Sequence, residues 1–94
     1  MRKGVRVAKE LKGKYEAGCG VMLKINAIFT LVSESPKPLS LAEVCDSLNY
    51  HKSTGHRLLV TLFRLRFLGR TNDGLYRIGP RFVELAETRK NNFR

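Results

Sequence analysis

Ninety-four residues set the scale of one domain, since single cores run to roughly 100–150 residues. With 43% hydrophobic and 28% charged residues, three Pro and no Trp, the composition is that of a packed globular chain and excludes a disordered or fibrous one. The charge is lopsided, 18 Lys+Arg against 8 Asp+Glu for a net of +10, which favours a polyanionic partner, either nucleic acid or an anionic membrane surface.

The first segment, 1–20, reads as a basic arm. Residues 1–14 carry six bases and one acid, and glycines at 4, 13, 18 and 20 leave only Val5, Ala8 and Leu11 to form a short helical face before Lys14. From Val21 a 3.6-residue period begins. Val21, Ile25, Ile28, Phe29 and Val32 share one face, so 21–33 is expected as a helix with that face in the core. A second apolar stripe, Leu23, Ala27 and Leu31, runs about opposite. A small domain does not easily bury both stripes, so the second reads as a homodimer face, with burial under the arm or the last helix as the other reading. Pro36 and Pro38 impose an extended connection.

Ser40-Leu-Ala-Glu43 is a capping box, the hydroxyl and carboxylate answering orphan amides at a helix start. Leu41, Val44, Cys45 and Leu48 follow at i, i+3, i+4 and i+7. The second helix therefore ends near Ser47, with Asn49 in the left-handed position that closes it. A third helix opens around Lys52–Thr54 and runs to about Leu65, with Leu58, Leu59, Leu62 and Leu65 as its core stripe. Phe67-Leu68 and Leu75–Ile78 then flank Thr-Asn-Asp-Gly, a strong hairpin signal. Pro80 suits the first residue of a last helix whose apolar positions are Phe82, Leu85 and Ala86. The fold class is mainly α with a small β-hairpin, a winged helix-turn-helix over 21–79, followed by a linker helix and tail over 80–94.

The charge has an address. Residues 15–51 hold two bases and four acids, whereas 52–81 hold seven bases and only Asp73. The second and third helices are joined by about four residues, Leu48–His51, which is the helix-turn-helix spacing, and the third has its polar and basic residues at its start. Taking 100° per residue, Ser53, Arg57, Val60 and Arg64 point away from Leu62, with His56 on the flank. Lys52, Ser53, Thr54, His56 and Arg57 are the candidate DNA contacts, since Arg reads guanine or grips phosphate and hydroxyls bind either. Arg70 and Arg77 on the hairpin are the candidate wing contacts, while Arg64 and Arg66 read as solvated or phosphate-adjacent. Each has a plainer reading: solvated surface for His56, Arg70 and Arg77, helix capping for Ser53 and Thr54, a surface ion pair for Arg57.

Ser40–Asn49, His51-Lys-Ser-Thr-Gly-His-Arg-Leu-Leu-Val-Thr-Leu62, the Thr71–Gly74 tip and Tyr76-Arg-Ile-Gly-Pro-Arg-Phe82 resemble the N-terminal domain of IclR-type bacterial transcriptional regulators. The likeness runs from about Val21 to Glu87. It implies a winged-helix domain binding double-stranded DNA, dimerised through its first helix, with a small-molecule effector only where a separate C-terminal domain is present. Three departures stand out. These 94 residues contain no region long enough for an effector domain. Arg66 stands where the family usually has Gly, at a cost of about 1 kcal/mol if the backbone is left-handed there. His51 and Gly55 replace the usual Pro and apolar residue, and Gly within a helix costs about 1 kcal/mol relative to Ala.

Other classes are less favoured. Cys19 and Cys45 form no CxxC pair and find no zinc spacing with His51 and His56, so neither metal nor cofactor is expected, and Cys45 reads as a core residue. No apolar run approaches the roughly 20 residues of a membrane span, and no signal-peptide pattern follows the basic start. A cytoplasmic, nucleoid-associated chain is the expectation. No carboxylate pair or nucleophile–base set converges, so no enzyme is expected. Single-strand RNA binding would use stacking aromatics, and the third helix offers only Phe63. The main alternative is a winged-helix protein-contact module without specific DNA readout.

Overall fold

Gly20–Glu34 forms α1, Leu41–Leu48 α2 and Lys52–Arg64 α3; strands β1 (Leu68–Arg70) and β2 (Tyr76–Ile78) follow, and Arg81–Asn92 forms α4. The structure, a computed structural model, describes the backbone of residues 19–92 and the side chains of 19–88. The expected arm therefore lies outside the described residues except for Cys19 and Gly20. The element order is the one the sequence leads one to expect. The last helix starts one residue later, because Pro80 lies outside it and its carbonyl accepts the Glu84 N–H at 3.1 Å.

The core forms where the helices and hairpin converge. Ile28 from α1, Val44 from α2, Leu59 from α3 and Leu68 from β1 are fully buried, and Leu31, Val32, Leu39, Leu62 and Tyr76 complete the cluster. Each fully buried aliphatic side chain contributes about 1.5–3 kcal/mol from removal of its surface from water. The strands pair antiparallel in the register Leu68↔Ile78, Gly69↔Arg77, Arg70↔Tyr76. Gly74, with φ of 84°, closes the tip, where its N–H donates to the Thr71 carbonyl at 2.9 Å. Leu39, in the extended Pro-flanked connection, bonds both ways with Tyr76 at 2.7 and 2.9 Å. The segment between α1 and α2 is thereby stitched to the free side of β2.

Several apolar side chains lie elsewhere than the sequence leads one to expect. Ala27 and Leu31, expected on a face free for a second copy, are buried at 6% and 4% exposure, and Leu31 is part of the core. The C-terminal half of α1 is covered over a wide arc, since it meets both α2 and β2. Only Leu23 of that stripe is half-buried, near the more exposed start of the helix. There Val21, expected in the core, is 55% exposed and Met22 is 61% exposed. Leu65, the C-cap residue of α3, is also 55% exposed. Leu85 and Ala86 are exposed, while Phe82 packs edge-on against Phe29 and Phe67 with ring centroids 4.8 and 5.2 Å away. Of the three apolar side chains expected to anchor α4, only that aromatic one does so.

Candidate nucleic-acid interface

The elbow between α2 and α3 is built from the ends of the two helices. At the start of α2 the Ser40 hydroxyl accepts the Glu43 N–H at 3.1 Å, and the Glu43 carboxylate accepts the Ser40 N–H at 2.9 Å. Lys37 adds a 3.0 Å ion pair to the same carboxylate. The Ser40 amide, seconded by the Lys37 ammonium, holds the Glu43 carboxyl below the usual carboxylate range. At the other end Asn49 takes the left-handed conformation, φ 61° and ψ 46°, and its N–H donates to the Cys45 carbonyl. Tyr50 donates to the same carbonyl at 3.0 Å. Its half-buried hydroxyl donates to the Lys24 carbonyl at 3.3 Å, and burial pushes the phenol up to about 12.

The beginning of α3 is different. His51 is extended, φ −64° and ψ 145°, its side chain makes no capping hydrogen bond, and the first turn contains no acid. The orphan amides of this turn and the positive end of the helix dipole favour an external anion. Around that end Lys52, Ser53, His56 and Arg57 are exposed and Thr54 is half-buried, so the structure gathers all five expected residues on the first two turns. Arg57 makes no ion pair among the described residues, and its carbonyl accepts the Thr61 hydroxyl at 2.8 Å. Its side chain stays available to an outside partner.

The two wing arginines are not brought together. Side chains alternate along a strand and share a face with their cross-strand partners. Arg70, opposite Tyr76, is therefore on the face of buried Leu68, whereas Arg77, opposite Gly69, is on the other face. Arg70 lies over the Tyr76 ring, 5.1 Å from its centroid, and its Nε reaches back to the Gly74 carbonyl at 3.4 Å.

Three residues have roles that the sequence reading did not anticipate. Arg66 is left-handed at φ 71°, the strained state expected for a non-glycine residue there, and although its side chain is exposed it is ion-paired. Its guanidinium grips the Glu84 carboxylate of α4 with both terminal nitrogens, one of them at 3.1 Å, and its carbonyl accepts the Arg81 N–H at 3.0 Å. Arg66, with Arg81 behind it, holds the Glu84 carboxyl below the ordinary range. Cys45 and Gly55 meet inside the elbow, where burial, reinforced by Asp46, raises the Cys45 thiol and keeps it protonated. A small residue at a buried helix position was the available signal for that contact. For Arg66 and Glu84, 18 positions apart, there was none.

Comparison with known families places this geometry. The family described as the IclR helix-turn-helix domain matches residues 24–71, just over half of the chain. The chain belongs to the IclR helix-turn-helix family. It is a DNA-binding domain of the transcriptional-regulator type, with α2–α3 as the helix-turn-helix and β1–β2 as the wing. Among solved structures it is similar to the repressor BlcR of Agobacterium tumefaciens, at 27% identity and TM-score 0.73 over 86% of this chain and 32% of that one. It also shares the fold of the Thermotoga maritima IclR, at 22% identity and TM-score 0.74 over 79% of this chain and 30% of that one. An IclR family regulator from Brucella abortus has the same fold, at 20% identity and TM-score 0.68 over 83% of this chain and 30% of that one. The chain thus spans about a third of the length of these proteins. Comparison with curated proteins gives no significant match. No described helix is long and apolar enough to cross a membrane, and the described residues contain no cluster of three metal-ligating side chains.

Proposed function

We propose that this IclR-type domain reads specific sequences in duplex DNA by seating the first two turns of α3 in the major groove. The observation that carries this reading is the uncapped, acid-free start of α3 surrounded by Lys52, Ser53, Thr54, His56 and Arg57. Arg57 reads base edges; Lys52, Ser53 and Thr54, together with the helix amides, grip phosphate; His56 flanks them. The wing, 67–78, follows the neighbouring backbone. Arg77 on its outer face makes the main contact, and Arg70, held against Tyr76 and Gly74, contributes from the tip. The basic 1–14 segment adds sequence-independent attraction.

The domain acts as a cytoplasmic homodimer that pairs through the exposed start of α1. With Ala27 and Leu31 inside the chain, Val21 and Met22 beside Leu23 are the apolar residues that α1 has left to meet a second copy. The test is a mobility shift on random duplex at low salt, followed by selection of bound sequences from a random pool. Six to ten phosphate contacts weaken binding about 10³–10⁵-fold between 50 and 200 mM salt. A domain that leaves random duplex unshifted at low salt is instead a protein-contact module.

A further inference from the structure

Gly55 is a costly residue in its position. It is buried inside α3, where Gly is less favourable than Ala, and its backbone is ordinary helix with no positive φ to require glycine. What requires it is space. A Cβ at Gly55 would stand 2.3 Å from the Cys45 Sγ and 3.5 Å from Leu41 Cδ1, against roughly 3.5–4.0 Å for a favourable carbon contact. The backbone of α3 rests directly on the thiol.

Cys45 is also the residue on which the turn is wound. Its carbonyl takes the amides of Asn49 and Tyr50, and its thiol reaches the His51 carbonyl at 3.8 Å. That His51 carbonyl in turn accepts the Gly55 N–H at 2.9 Å, which closes the first turn of α3. The thiol has little room to swing away, since Cys45 is 5% exposed and one of its three χ1 wells is closed by the preceding helical turn.

We propose that Cys45 and Gly55 are a size-matched pair that sets how far the start of α3 stands off α2. They are positioning residues for DNA reading, acting through Lys52, Ser53, Thr54, His56 and Arg57. The proposal rests on the DNA-reading function above. In this chain the bulk that fills the elbow comes from α2, and the recognition helix yields the space. A methyl added at Gly55 lifts the reading turns away from their seat, and removing the Sγ makes room for it.

The experiment compares the wild type with G55A, C45A and the double variant C45A/G55A by two readouts. One is the set of amide NMR shifts over 51–57; the other is affinity for a duplex selected by the wild type, with random duplex as control. G55A is expected to shift those amides and to weaken selected binding by about tenfold or more, in the range of one lost base contact. Random-duplex binding stays, because phosphate attraction tolerates a tilted helix. C45A/G55A is expected to recover most of the loss, whereas simple damage to the fold would leave the double variant no better than the single one. Unmoved amides in G55A overturn the seat, and moved amides with unchanged affinity overturn its role in reading. If G55A does not fold, recovery of fold and selected binding in the double variant supports the pair, and recovery of neither, or of fold alone, overturns it. A wild type that selects no duplex overturns the DNA reading itself and this role with it, and the amide shifts then show separately whether the seat exists.

Discussion

Helices α2 and α3 are neighbours of similar amphipathic pattern, yet they begin in opposite ways. The orphan amides of α2 are answered inside the chain by Ser40 and Glu43, and Lys37 reinforces the carboxylate. Those of α3 receive no side-chain cap, and its first turn holds a base and two hydroxyls where α2 holds an acid. The difference separates two jobs for the same local chemistry. A closed helix end stabilises the fold whatever is bound, whereas an open one gives up that stabilisation and is completed by an anion from outside.

The sharpest way to break this contrast is at the open end. Arg57→Ala is expected to lower affinity for a selected duplex by about 1–3 kcal/mol while the thermal midpoint stays close to wild type. Titrating the two proteins with that duplex checks it, and undiminished affinity would mean that α3 is presented the other way round. At the closed end the effects reverse. Ser40→Ala removes the cap and should cost about 1 kcal/mol of stability, a fall in Tm of about 4–8 °C for a domain of this size, with little change in DNA affinity per folded molecule. Calorimetry beside the same titration shows whether the two properties separate.

A third variant moves one helix toward the other. His51→Asp supplies the missing cap and a charge suited to the helix start, so it should raise stability by about 0.5–1 kcal/mol and weaken DNA binding, because the carboxylate takes the place of a phosphate. A variant that gains stability and keeps its affinity would show that the open end is not part of the contact.

The smallest effects come from pH. Glu43 and Glu84 have lowered carboxyls, so between their folded values and the ordinary value of about 4.3 the unfolded chain binds more protons. Their stabilisation is complete above that range and disappears as pH falls through it. Tyr50 works in the other direction. Its phenol is raised from 10 to about 12, so the unfolded chain loses its proton first and stability declines as pH rises through that window. Tyr50→Phe should flatten the alkaline limb of a denaturant-midpoint profile, and Glu43→Gln should reduce the acid limb.

The parts of the molecule that were legible in the sequence are those governed by local rules. The Ser40–Glu43 box, the left-handed Asn49, the Asp-Gly turn and the 3.6-residue stripes depend on residues within a turn or two of one another, and each stands where its local chemistry puts it. The clustering of Lys52–Arg57 follows from helix geometry alone. Arrangements fixed by distant partners were not legible. Leu31 is covered because α1 meets both α2 and β2, Arg66 is engaged by a carboxylate 18 residues on, and Gly55 is shaped by a thiol from the preceding helix. Val21 and Leu65 show the same limit from the other side, since a helical period marks a face but not the point where the core ends along it.

The bonds between Leu39 and Tyr76 have a consequence for how the domain behaves in crowded solution. Leu39 covers the outer side of β2 at Tyr76, so the backbone groups left to template a foreign strand are those of Ile78 on that side and the outer rim of β1. That rim is three residues long and ends in the cation Arg70, too short and too charged to recruit another chain by edge-to-edge pairing. The linker that precedes the helix-turn-helix thus guards part of the edge of the small wing sheet against aggregation.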